Sequence, residues 1–132
     1  MSRTIAVTGA TGFIGAMLVD HLLAAGWNVK ALVRPPSAHR FPEKPGLETV
    51  TGSLQDSASL NRLVQGAAAV VHCAGAVRGA TAADFNAVNV DGLERLVRAA
   101  LSLSPRPRFL SLSSLAARSP ELSHYASSKR QG

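Results

Sequence analysis

Tyr125 and Lys129 stand four positions apart in the run Tyr125-Ala126-Ser127-Ser128-Lys129. On a helix that spacing brings both side chains to one face. A phenol is a poor base at neutral pH, with a reference pKa of about 10. A neighbouring ammonium favours the phenolate and lowers that value. Together the two groups make a proton donor and acceptor matched to carbonyl/alcohol chemistry. Two serines, Ser113 and Ser114, precede them at the end of the apolar run that starts at Arg108.

A second group of residues binds rather than reacts. Gly9, Gly12 and Gly15 recur every three positions in Thr8-Gly9-Ala10-Thr11-Gly12-Phe13-Ile14-Gly15. They follow a β-branched run and open a segment with helical periodicity. At such a junction one glycine permits a sharp turn, one lets the backbone approach a pyrophosphate, and one lets helix pack on strand. The helix N-terminus adds unpaired N–H groups and the positive end of a dipole. Gly9, Thr11, Gly12, Phe13, Ile14 and Gly15 are therefore the expected phosphate cradle of a dinucleotide.

The elements that must hold these groups are legible in turn. Thr4 to Thr8 reads as a buried strand. Phe13 to Ala25 reads as a helix with Ile14, Met17, Leu18 and Leu22 on its apolar positions, and Gly26 stops it. Asn28 to Val33 is a second strand, ended by Pro35-Pro36. Ser37 to Leu47, with Pro42, Pro45 and Gly46, reads as a loop with one turn. Glu48 to Thr51 is a third strand. Asp56 caps a helix from Ser57 to Gln65 that Gly66 closes. Ala68 to Cys73 is a fourth strand. A long helix follows over Asp84 to Leu103, carried by Val88, Leu93, Leu96, Val97 and Ala100 and interrupted at Asp91 and Gly92. Pro105 and Pro107 forbid its continuation. Arg108 to Ser113 is a fifth strand, and a last helix opens near Ser123 and is still running at Gly132, as in a fragment of a longer protein. Strands alternating with helices imply βαβ units, a parallel sheet and helices on both faces.

At 132 residues, with 46% hydrophobic and 17% charged, the chain suits one globular domain. The formal charge of +6 invites a nucleic-acid reading. The arginines argue against it: they are scattered from Arg3 through Arg34, Arg62, Arg78 and Arg95 to Arg130, with no run and no interleaved aromatics. Phosphate-bearing ligands, or acidic segments outside this piece, account for the balance. The one cysteine, Cys73, cannot form an internal disulfide, and strand-like sequence begins almost at Met1, so a cytoplasmic setting is expected. The longest apolar stretch, Gly66 to Val77, holds His72 and falls short of the roughly 20 residues a membrane span needs. His72 and Cys73 alone do not make a metal site, and none is expected.

The run TGATGFIG resembles the TGxxGxxG motif of short-chain dehydrogenases/reductases, and its FIG ending resembles their extended, epimerase/dehydratase branch. The likeness runs throughout residues 1–132 and covers about the first half of a typical member. It implies an α/β, Rossmann-like doubly wound parallel sheet of about five strands, truncated before the carboxy-terminal substrate-binding part. Residues 1–132 would then be the NAD(P)-binding domain.

The resemblance also implies roles. Where NAD-binding members end the second strand with an acidic residue, this chain has Val33 followed by Arg34. A guanidinium pairs with a 2′-phosphate, so Arg34 argues for NADP over NAD. Ser53, in Gly52-Ser53-Leu54, stands where the family places an aspartate against the adenine. Ala74 and Gly75 resemble the small residues that lie beside the cofactor. Asn89, in Asn86-Ala87-Val88-Asn89-Val90-Asp91-Gly92, resembles the NVxG segment whose asparagine supports a water leading to the lysine. By family alignment Ser114 binds the substrate oxygen, with Ser113 as the one-residue alternative. Tyr125 passes the proton, and Lys129 holds the nicotinamide ribose and lowers the tyrosine pKa.

The implied activity is an NAD(P)-dependent oxidoreductase or epimerase that moves a hydride between nicotinamide and a hydroxyl/carbonyl carbon, with a nucleotide sugar as first substrate. The alternatives are an NADPH-dependent carbonyl reductase of the dihydroflavonol or steroid-dehydrogenase kind, and a non-catalytic NADP-binding regulator. Ser114 and Tyr125 are only 11 positions apart, which shortens the loop over the substrate. Family dimers commonly pair the fourth and fifth helices, so a homodimer through the fourth is implied.

Overall fold

Short β-branched runs form strands here because alternate side chains find apolar cover on both sides of the sheet. In the computed structural model, which describes residues 3–38, 41–73 and 90–112, the order is β1 (Thr4–Thr8), α1 (Phe13–Ala24), β2 (Asn28–Val33), α2 (Pro35–Ala38), β3 (Leu47–Thr51), α3 (Ser57–Val64), β4 (Ala69–His72), α4 (Asp91–Leu101) and β5 (Arg108–Ser111). Ile5 and Val7 of β1 pack on one side with Val29, Ala31 and Val33 of β2 and Val19 of α1. Ala6 and Leu32 point the other way, into a layer built by Leu60, Leu63 and Val64 of α3 and Leu96, Ala99 and Ala100 of α4.

All five strands are parallel, in the order β3-β2-β1-β4-β5. The chain steps outward from β1 to β3, then returns to place β4 on the far side of β1. The carboxy ends of β1 and β4 therefore flank the point where the winding reverses, with Thr8 paired to His72. Ligands of open α/β sheets bind outside such a point. The parallel sheet is the one the alternation of elements implies, and its Rossmann-like form the one the resemblance implies.

Local signals end the helices as expected. Gly26, at φ +90°, follows the α1 C-cap, and Gly66, at φ +75°, follows that of α3. The Asp56 carboxylate accepts a hydrogen bond from the Ala58 N–H at 3.2 Å. Lys30, on β2 with its side chain 16% exposed, donates to the carbonyls of Arg62 and Gln65 at the C-terminal end of α3. A cation there satisfies carbonyls that the helix leaves over and complements its dipole.

Three expectations need correction. Ile14 and Met17 are 53% and 49% exposed rather than core. α1 is apolar on nearly every side, so periodicity alone does not choose its buried face: Gly15 and Val19 are buried, with Leu18 and Leu22 partly buried beside them. Pro35 and Pro36 do not merely end β2 but open the short α2, since proline's fixed φ suits a first helical turn. The helix predicted over Asp84 to Leu103 begins instead at Asp91, with Val90 as N-cap, where the apolar pattern is interrupted, and ends at Leu101. The segment from Asp84 to Asn89, Ser113 at the end of the predicted fifth strand, and the predicted helix near Ser123 lie outside the described residues.

Candidate coenzyme site

Because every strand runs the same way, the loops that follow β1, β2, β3 and β4 gather along one edge. Gly9, Arg34, Gly52 and Cys73 each stand just beyond a strand end. The Gly52 N–H donates to the Val33 carbonyl at 3.0 Å, which ties the start of the Ser53 loop to the strand that carries Arg34.

The three glycines of the first loop meet three different demands. Gly9 sits at φ +74°, a conformation that turns the chain sharply and that other residues rarely adopt. Gly12 is the N-cap of α1, in extended conformation, and its N–H donates to the Gly9 carbonyl at 3.1 Å. A Cβ on Gly12 would meet that oxygen at 3.4 Å, an ordinary contact, so no described residue requires glycine there. Gly15 is the opposite case: its Cβ would stand 1.9 Å from the Gly9 oxygen and 2.6 Å from the Gly9 carbonyl carbon.

α1 has no side-chain cap and no acidic residue in its first turn. Its leading N–H groups have no intrahelical partners, and its first turn carries no carboxylate to oppose an anion. Thr11 and Gly12 are exposed, as are Phe13 at 83% and Ile14 at 53%. A cradle that a methyl group would fill, open amides and a positive dipole end suit a pyrophosphate.

Arg34 is exposed and forms no ion pair with any described residue. Ser53 is half-buried in a loop that the fold braces from three directions. Its hydroxyl oxygen accepts from the Gln55 N–H at 3.2 Å. Its own N–H donates to Ser59 Oγ at 3.2 Å, while Ser59 Oγ lies 2.8 Å from the Asp56 carbonyl and 3.2 Å from that of Ser53. Leu54 is buried, and its carbonyl accepts from Arg95 Nη1 of α4 at 3.3 Å.

Ser59 and Arg95 were not singled out in the sequence. The available signal was Gly52, a glycine at a strand end with no turn to make. A Cβ there would stand 2.1 Å from Ser59 Cβ, so close packing is what requires it. Asp56 acts as the expected helix cap rather than as a substitute for the missing family aspartate.

At the switch point Thr8 Oγ1 and His72 Nδ1 form a hydrogen bond of 2.6 Å, with both residues buried. His72 is a core residue, as expected, but one with a specific polar partner. Ser114, its alternative Ser113, Tyr125, Lys129, Asn89, Ala74 and Gly75 lie outside the described residues. Among the described residues no cluster of three or more His, Cys, Asp or Glu could hold a metal ion, and no helix is long and apolar enough to cross a membrane.

A doubly wound parallel sheet with a glycine-lined helix N-terminus at its switch point defines the Rossmann-like, dinucleotide-binding class of domain. Within that class, the chain belongs to the NAD dependent epimerase/dehydratase family, whose model matches residues 5–130. It is 44% identical over 128 residues to a ceramide reductase of Caulobacter vibrioides, covering 97% of this chain and 40% of that protein. It is 35% identical over 103 residues to a 3-beta-hydroxysteroid dehydrogenase of Mycolicibacterium neoaurum, covering 72% of this chain and 28% of that one. A solved short-chain dehydrogenase/reductase superfamily protein from Agrobacterium tumefaciens, with bound NAD, superimposes with a TM-score of 0.80 at 28% identity, covering 97% of this chain and 42% of that chain. The chain thus spans less than half the length of these relatives.

Proposed function

We propose that residues 1–132 form the NAD(P)-binding part of an oxidoreductase that interconverts a hydroxyl and a carbonyl on a small-molecule substrate. The observation that carries this reading is the exposed N-terminus of α1 at the switch point of the sheet, with no side-chain cap and no acidic residue in its first turn. Gly9, Thr11, Gly12, Phe13, Ile14 and Gly15 hold the pyrophosphate. Ser53 and Leu54 line the adenine end, and Ala74 and Gly75 lie along the coenzyme. Arg34 pairs with a 2′-phosphate, so NADP is preferred over NAD.

The bound nicotinamide supplies the hydride. Ser114 binds and polarises the substrate oxygen. Tyr125 moves a proton at that oxygen, and Lys129 lowers the tyrosine's pKa and holds the nicotinamide ribose. Asn89 supports a water that connects to Lys129. The protein works in the cytoplasm, as a homodimer through its fourth helix.

The relatives bear on the substrate. A likeness of 44% to a protein named for reducing a ceramide, and of 35% to one named for a hydroxysteroid, supports a reductase of a lipid-borne carbonyl. This takes precedence over the nucleotide sugar, and the short stretch from Ser114 to Tyr125 agrees with it. Titration of the intact protein with NADPH and NADH, followed by turnover on long-chain ketones, steroid ketones and UDP-sugars, tests the reading. Binding of neither coenzyme would refute it, and turnover of UDP-sugars alone would overturn the lipid substrate.

A further inference from the structure

His72 is among the largest fully buried side chains of the domain, and it has no part in the mechanism above. It ends β4 directly beside the last residue of β1, and its Nδ1 meets Thr8 Oγ1 at 2.6 Å in a region closed to water. Burying an imidazole is costly unless it is hydrogen-bonded, and in a low-dielectric site a satisfied pair is correspondingly rigid. The backbone reinforces the contact, since the Cys73 N–H donates to the Thr8 carbonyl at 3.1 Å.

Thr8 is the residue before Gly9. On its far side the Gly9 carbonyl accepts from the Gly12 N–H at 3.1 Å and abuts Gly15. The Gly9 peptide is therefore held between two fixed points: the Thr8 side chain anchored to β4, and the first turn of α1. A shift of Thr8 would tilt the Gly9 turn and with it the amides that face the phosphates. Preorganised donors bind an anion tightly only when their supports are rigid.

We infer that His72, through the Nδ1–Thr8 hydrogen bond, is a positioning residue for coenzyme binding: it sets the Gly9 turn so that the amides of α1 converge on the pyrophosphate. This rests on the coenzyme reading of the glycine loop. It extends that reading to a residue of β4 that never touches the ligand.

Two substitutions separate the ring nitrogens. The amide of asparagine lies near the place of Nδ1, whereas that of glutamine reaches toward Nε2. In the intact protein, Thr8→Val and His72→Gln are expected to raise the Kd for NADPH about tenfold, the loss corresponding to one buried hydrogen bond. His72→Asn is expected to stay within about threefold of wild type, and Thr8→Ser, which keeps the hydroxyl, likewise. Because one bond is shared, T8V/H72Q is expected to bind about as weakly as either single variant. Thermal melts run alongside report stability, and Thr8→Ser with His72→Asn keeps the comparison informative if a harsher variant does not fold. An unchanged Kd in T8V and H72Q, an asparagine as weak as the glutamine, or additive losses would overturn the positioning role. A wild-type protein that bound neither NADPH nor NADH would instead overturn the coenzyme reading itself.

Discussion

Gly15 faces the carbonyl of Gly9 so closely that a Cβ on it would stand 1.9 Å from the oxygen. Gly12, three residues earlier on the same turn, would place its Cβ at 3.4 Å from that oxygen. One spacing motif thus contains a glycine demanded by backbone packing and a glycine that no described residue demands. For the second, the coenzyme reading supplies the explanation that a ligand approaches its backbone.

Gly15→Ala and Gly12→Ala should therefore fail differently. The first pushes a methyl into backbone and is expected to destabilise the domain by about 2–4 kcal/mol. The second is expected to change stability by less than about 1 kcal/mol, the cost of an alanine N-cap. It is nevertheless expected to weaken NADPH binding at least about tenfold, because the added methyl lies where the pyrophosphate meets the turn. Thermal melts paired with NADPH titration separate the two. Equal stability losses with intact binding in G12A would remove the distinction.

Gly52 and Ser59 make a second close pair, one that braces the adenine end. Gly52→Ala would set its methyl 2.1 Å from Ser59 Cβ and is expected to cost about 1–3 kcal/mol by overpacking. Ser59→Gly costs stability too, by breaking the bonds that tie Ser53 and Asp56. The double variant G52A/S59G regains the space, so its loss is expected to fall below the sum of the singles. Urea denaturation of the four proteins measures that coupling, and strict additivity would mean the loop relaxes without Ser59.

What could be read from residues alone follows the range of the interactions. β1, the glycine turn and the caps Asp56, Gly26 and Gly66 rest on contacts a few positions apart, and residue type signals them directly. On α1, Leu18 and Leu22 pack against the core while Ile14 and Met17 do not, a difference that periodicity misses because an all-round apolar helix offers no contrast between sides. The Thr8–His72 bond joins residues 64 positions apart, and the Arg95–Leu54 tie spans 41. Neither can be anticipated without knowing that β4 lies beside β1 and that α4 packs on the same layer as α3. The strand order decides those contacts, and an alternation of strands and helices is compatible with more than one order. Tyr125, Lys129, Ser114 and Asn89 rest on spacing and resemblance, and kinetics will judge them.

Arg34 lies beyond β2, exposed, with no described carboxylate to engage it. Arg34→Asp replaces a partner for the 2′-phosphate by a charge that repels it. The Kd for NADPH is expected to rise about 10- to 100-fold, while that for NADH stays within about threefold. Calorimetry with both coenzymes checks it. An equal loss for both would place the guanidinium elsewhere along the dinucleotide.

Tyr125→Phe keeps the ring and removes the proton. If the hydroxyl acts at the substrate oxygen, kcat is expected to fall about 100- to 10,000-fold, the usual contribution of a positioned acid or base. NADPH affinity is expected to stay within about threefold, since phosphate and ribose contacts carry most of it. Lys129→Met is expected to lower both, because the ammonium is assigned to the ribose as well as to the phenol. Should Y125F lose coenzyme affinity and turnover in parallel, Tyr125 would be a binding residue, and the proton would have to come from another group. Single-turnover kinetics on the intact protein, with NADPH in excess over its Kd, separates the two because binding no longer limits the rate.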